Sequence, residues 1–196
     1  MSRRARSRRG RTDEYETVGA LRAETPFFES RERKLFADDA NRDAFDGLPV
    51  DATLTARLRV HSSRLRPGDY FGLLAYIEAT PAHWKTLQLI RDTVRDSLHV
   101  ATCVGFGPRF LHSTGQVYKG GPNSGVFLQL TCDDIIDVAV PHRRYTFGVV
   151  KAAQARGDFA VLAERGRRAL RVHMGSDVRT GLTALATSIR AALADR

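Results

Sequence analysis

Residues 70–77, Tyr-Phe-Gly-Leu-Leu-Ala-Tyr-Ile, form a near-continuous apolar run. That is the pattern of a central strand buried on both faces of a parallel sheet. Three further short apolar runs, 100–104, 125–131 and 169–174, have strand length, and the first reads as buried. Between and around them apolar residues return at helical spacing. Residues 51–66 place Leu54, Leu58 and Leu65 on a broadly shared face, and Pro67-Gly68 ends that helix. Thr80-Pro81 opens the next, threonine capping it and proline filling its first position. It continues to about residue 98 and is expected to bury Trp84, Leu87, Ile90, Val94 and Leu98. Residues 145–155 read as another helix, continued after Gly157-Asp158 by a second short helix to 165. Residues 177–194 form the closing helix.

Strands alternating with helices predict a parallel α/β sheet covered on both faces. At 196 residues the chain is long enough for one such domain with a proper core. The expected organisation is an arginine-rich tail over 1–13, a partly ordered segment over 14–50, and the α/β domain over 51–196. No run approaches the ~18 apolar residues of a membrane span, so no membrane association is expected.

The formal net charge of +9 invites a nucleic-acid reading, but its distribution argues against one. Residues 1–11 carry six arginines and no acid. The remainder holds 25 basic residues (31 less six) against 22 acidic ones. The excess therefore sits in a tail of low-complexity composition, which can bury almost nothing. Cys103 and Cys132 lie in predicted strands without metal-ligand spacing and read as reduced thiols. No metal is implied.

Chemistry concentrates in residues 105–125, GFGPRFLHSTGQVYKGGPNSG, which follow a predicted strand. Glycines at the carboxyl end of a parallel strand let backbone approach a ligand, and helix-start N–H groups favour anions. His112 is the histidine of that run, a residue type suited to proton transfer; it serves either acid–base chemistry or the ordering of the turn. Arg109 and Lys119 can bind an anion or pair with a carboxylate. Ser113 lies in the same run, and Gln116 suits either a sugar hydroxyl or the backbone. The chain has 27 arginines and four lysines, which gives Lys119 and Lys151 more weight than ordinary surface lysines. The Gly166-Arg167-Arg168 run reads as a solvated turn rather than a phosphate clamp, and His173 as a packed residue.

Three blocks, HSTGQVYKGGPNSGVFLQLTCDD, YTFGVVKAAQARGD and RGRRALRVHMG, occur in that order. Together they resemble the carboxyl-terminal part of the bifunctional transaldolase/glucose-6-phosphate isomerase family, over about residues 65–175. The resemblance implies a sugar-isomerase fold, a three-layer αβα sandwich with a mostly parallel sheet. It also implies that this chain corresponds to the second of two subdomains, with the first absent.

The activity so implied is interconversion of glucose 6-phosphate and fructose 6-phosphate, without a cofactor, in the cytoplasm. His112 and Lys151 take the catalytic roles, and Arg109, Ser113, Gln116 and Lys119 bind the hexose phosphate. A separate first subdomain or a transaldolase chain is the implied protein partner. Two departures matter. Many relatives have histidine beside the lysine where this chain has Tyr118, and no acidic residue lies between Asp96 and Asp133. Glu78, Asp133, Asp134 or a group outside this chain remain as sources of the base. The competing class is a non-catalytic sugar-phosphate-binding or assembly module that keeps the fold and loops.

Overall fold

The computed structural model describes residues 14–30 and 33–194. The arginine-rich tail expected over 1–13 lies outside them. Among the described residues the order is α1 (Glu14–Val18), β1 (Phe28–Ser30), β2 (Arg33–Phe36), α2 (Asp39–Arg42) and α3 (Leu54–Ser63). There follow β3 (Tyr70–Tyr76), α4 (Pro81–Leu98), β4 (Ala101–Phe106), α5 (Thr114–Gly120) and β5 (Gly125–Cys132). The chain then runs through α6 (Phe147–Glu164), β6 (Arg168–Met174) and α7 (Val178–Leu193). No helix among the described residues is long and apolar enough to cross a membrane.

The strands make one six-stranded sheet in the order β1-β2-β6-β5-β3-β4. The last four are parallel to one another, and β1 and β2 add antiparallel to the β6 side. Helices α3, α4 and α7 cover one face through Leu54, Leu58, Leu87, Ile90, Leu182, Leu185 and Ile189. Helices α5 and α6 cover the other through Tyr118, Ala155, Phe159 and Leu162. The fold is a three-layer αβα sandwich, as the alternation of runs predicts.

Local chemistry sets the helix ends. Thr53, Thr80, Thr146 and Asp177 each accept a backbone N–H in the first turn of α3, α4, α6 and α7. Each such cap contributes about 1 kcal/mol. Pro81 takes the first turn of α4, where its missing N–H costs nothing.

Four features differ from the sequence expectation. The 100–104 run is not enclosed: β4 is an edge strand with a neighbour on one side only, and its residues are half-buried or exposed. Trp84 is 44 % exposed. Its ring lies against Phe106, centroid to centroid 5.7 Å, rather than in the core. Gly157-Asp158 does not interrupt α6, because Asp158 is turned inward and paired instead of capping a new helix. The sheet also takes two strands from the segment before residue 51. There Leu35 is fully buried, and Asn41 ties α2 to the start of β6, donating to the Arg167 carbonyl at 3.0 Å and accepting from Ala169 N–H at 3.1 Å.

The Arg167-Arg168 run proves to be neither a solvated turn nor a clamp. Arg168 is held by Asp69 and by the carbonyls of Arg64 and Asn123; Arg167 donates to the carbonyls of Lys119 and Gly121. Both are buried and tie together the loops at the amino edge of the sheet.

His61 on α3 is fully buried with its Nε2 3.0 Å from the Phe127 carbonyl. Burial, reinforced by the charges of Arg64 and Arg168, lowers its pKa to about 3. The unfolded chain takes up this proton near pH 6.5, whereas the folded state refuses it. Stability is therefore complete above pH 6.5 and falls as pH drops toward 3. By linkage this histidine alone should cost about 2 kcal/mol between pH 7 and pH 5. His61→Gln keeps a donor for Phe127 and does not titrate, so denaturant unfolding should show a shallower pH slope. Parallel slopes for the two proteins would contradict the assignment.

Candidate functional site

The register lines up one polar row across four strands. Tyr76 of β3 pairs with Thr131 of β5, Thr131 with His173 of β6, and His173 with Lys34 of β2. Side chains alternate between faces along a strand. The preceding row, Ala75, Leu130, Val172 and Leu35, therefore points the other way, and all four are fully buried. One step further back, Leu74, Gln129, Arg171 and Phe36 return to the first face.

Helix α6 crosses this first face and leaves a cleft of about 280 Å³ at the carboxyl edge of the parallel strands. Its floor is the row of Tyr76, Thr131, His173 and Lys34, with Phe36 and Arg171 behind and Asp133 at the rim. Lys151, Ala152, Ala155 and Arg156 form the α6 wall, and Ala23 and Glu24 close the remaining side. The two alanines leave the room that longer side chains would fill. The cleft lies beside the point where the parallel order reverses, with β4 on one side of β3 and β5 on the other. Open α/β sheets bind ligands at such places.

The cleft carries both charge signs. Lys151 donates to Asp134 and lies 3.9 Å from the Cys132 sulfur. His173 is bracketed: its Nδ1 is 3.0 Å from Thr131 Oγ1 and its Nε2 is 3.2 Å from an Asp133 oxygen. With Asp133 ionised, Nε2 carries the proton and Nδ1 accepts from the threonine hydroxyl. Burial lowers the His173 pKa more than Asp133 raises it, so the ring is a neutral proton acceptor at physiological pH. Burial likewise pushes the thiols of Cys132 and Cys103 up, which leaves them protonated and unreactive.

Arg171 is the most demanding group. Its side chain is 3 % exposed, stacked 4.2 Å over the Phe36 ring and 5.3 Å from that of Phe159. Its countercharge comes from Glu24, whose Oε2 accepts from Arg171 Nη2 at 2.7 Å. Arg156 Nε is 2.7 Å from that same oxygen.

Of the residues that the sequence nominates, Lys151 lines the cleft. Arg109, His112 and Ser113 lie on the connection from β4 into α5 and Gln116 in the first turn of α5, all exposed and outside the cleft lining. Gln116 donates to the Leu111 carbonyl at 3.1 Å, tying the turn to itself. The glycines of this connection answer to packing. A Cβ on Gly107 would stand 2.5 Å from the Tyr76 ring, and one on Gly115 2.8 Å from the Phe110 carbonyl oxygen. Tyr118 is a core residue, its hydroxyl donating to Cys103 sulfur at 3.3 Å.

Lys119 is engaged elsewhere, 2.5 Å from an oxygen of Asp158, a carboxylate 1 % exposed between α5 and α6. Burial raises the Asp158 pKa, and Lys119 opposes that rise. Sequence reading did not single out Glu24, Arg156 or Arg171, and took His173 as packed. A charged residue in the middle of an apolar strand, Arg171 within ALRVHM, is the signal that was available.

No protein-family model and no curated protein matches the sequence. Among solved structures, the chain is similar to a hypothetical protein from Thermus thermophilus, with a TM-score of 0.62 at 16 % identity. The match covers 79 % of this chain and 42 % of that one, so the chain spans less than half the length of this structural neighbour. The likeness concerns the fold.

The Lys119–Asp158 pair gives a test of stability rather than binding. Lys119→Ala strands a buried carboxylate, a loss of about 3–5 kcal/mol for a fully enclosed pair. With a quarter of the lysine exposed, about 2–4 kcal/mol is expected in urea unfolding after screening. Adding Asp158→Asn should recover most of it; a single variant as stable as wild type would show the pair to be idle.

Proposed function

We propose that this chain is a sugar-isomerase-type α/β subdomain that binds a hexose phosphate in the carboxyl-edge cleft. Joined to a further subdomain, it takes part in converting glucose 6-phosphate to fructose 6-phosphate. One observation carries this proposal: Lys151, singled out by its motif block, lies in the cleft formed by the polar row and α6. The three sequence blocks and the αβα fold agree with it. A cytoplasmic location and a separate first subdomain or transaldolase chain as partner belong to the same proposal.

The chemistry follows from the groups present. Aldose–ketose interconversion moves a proton between neighbouring carbons through an enediolate, and a cation beside the oxygens stabilises the developing charge. Lys151 supplies that cation. His173, held between Thr131 and Asp133, is the neutral group in the cleft that can take up and return a proton. His112, exposed on its own connection, is available to a second subdomain docking over that edge.

A second reading is a binding module without catalysis. It is favoured by the commitment of Lys119 to Asp158 and by the position of His112 outside the cleft lining. Titration calorimetry and a coupled isomerase assay separate the two. Glucose 6-phosphate should bind the isolated chain, and Lys151→Ala should weaken binding about tenfold, the scale of one charge-assisted hydrogen bond. The thermal midpoint should stay put. Turnover should appear only when a further sugar-isomerase subdomain is supplied. Binding indifferent to Lys151 would contradict the proposed site, and binding without turnover in the reconstituted pair would favour the module.

A further inference from the structure

Glu24 belongs to a stretch, 21–26, without helix or strand, yet its carboxylate enters the cleft and meets two guanidinium groups. Both arginines converge on its single Oε2 atom at 2.7 Å. Lys34 has Glu29 at 3.1 Å and Lys151 has Asp134, so each of those lysines has its own acid. Arg156 and Arg171 share one. One carboxylate carries a single negative charge for two guanidinium groups, and Asp133, the other acid lining the cleft, faces His173 instead. A phosphate monoester carries about −1.5 to −2 at neutral pH and offers three strong acceptor oxygens, which matches two guanidinium forks better.

The site is also built for an anion in shape. Arg171 is fixed by burial and by the rings of Phe36 and Phe159, so its fork is held in place before a ligand arrives. Burial lowers its pKa against the opposing pull of Glu24, which expresses the same need for a countercharge. Glu24 itself is 36 % exposed on irregular backbone, so its side chain can move into water while the arginines stay.

We propose that Arg156 and Arg171 form a phosphate subsite of the cleft, filled by the Glu24 carboxylate in the unliganded chain and taken over by a phosphate monoester. This assignment rests on the sugar-phosphate function proposed above and adds its phosphate-binding residues and an internal competitor. Binding then displaces the Glu24 carboxylate, while the hydrogen bond from Arg156 Nη1 to the Arg22 carbonyl keeps the backbone of the segment at the cleft.

Inorganic phosphate is the first probe, glucose 6-phosphate the second, each titrated calorimetrically into the full chain, Glu24→Gln, Arg156→Ala and the double variant. Glu24→Gln should bind inorganic phosphate about tenfold more tightly than wild type, and adding Arg156→Ala should abolish the gain. Glucose 6-phosphate should gain by a similar factor; a gain confined to inorganic phosphate overturns the place of this subsite in a sugar cleft. The Glu24→Gln thermal midpoint should fall, because Arg171 loses its countercharge, and be restored by phosphate but not by chloride of equal ionic strength. A wild-type phosphate affinity in Glu24→Gln, or a lowered midpoint that phosphate does not restore, overturns the proposal and makes Glu24 a structural tether. Glucose 6-phosphate binding that still depends on Lys151 would then leave the sugar-phosphate function standing. A phosphate gain in Glu24→Gln without any Lys151 dependence would sink that function alone.

Discussion

Strand side chains alternate, and this sheet commits one face to hydrocarbon and part of the other to charge. Everything distinctive about the molecule follows from that division. The Ala75, Leu130, Val172 and Leu35 row seals against α3, α4 and α7 and supplies continuous apolar burial at roughly 25 cal/mol per Å². In the opposite row Tyr76 stays fully buried, while Thr131, His173 and Lys34 forgo that burial at the carboxyl edge and give the cleft a polar floor. A shift of one residue in any of these strands would exchange the two rows. The register is therefore fixed by the same alternation that creates the cleft.

Charge on the second face is tolerated because each enclosed ion has a partner. Asp158 has Lys119, and Arg171 has Glu24 together with the rings of Phe36 and Phe159. Pairs of this kind stabilise little in net terms, since desolvation offsets the attraction, but losing one partner is costly. The two pairs differ in where the partner resides. Lys119 comes from a helix packed against α6, so its pair is part of the scaffold. Glu24 comes from irregular backbone, so its pair can open. That difference separates a structural ion pair from one suited to exchange with a ligand.

Long apolar runs and capped helices were legible in the sequence because burial on two faces and threonine caps leave direct marks. The strands at 70–77, 125–131 and 169–174 and the helices after Thr80 and Asp177 are of this type. β1 and β2 were not legible: FES and RKLF are short, rich in charge, and held by pairing, β2 on the edge of β6 and β1 on β2, rather than by their own pattern. The glycines at 105–125 drew attention as a ligand loop, whereas at Gly107 and Gly115 a neighbouring ring or carbonyl excludes a side chain. Lys151 was legible through its motif block. Arg171 and Glu24 were not joined, since 147 positions separate them and Glu24 lies on irregular backbone that no periodic pattern places.

The proposed cleft and the glycine-rich connection are two distinct places on the molecule for a hexose phosphate to bind. Backbone amide shifts recorded during a titration with glucose 6-phosphate distinguish the two. Binding in the cleft should cluster the perturbations at residues 22–25, 131–134, 149–156 and 171–174, its walls and floor. Perturbations concentrated over 105–121, with those four segments unmoved, would contradict it.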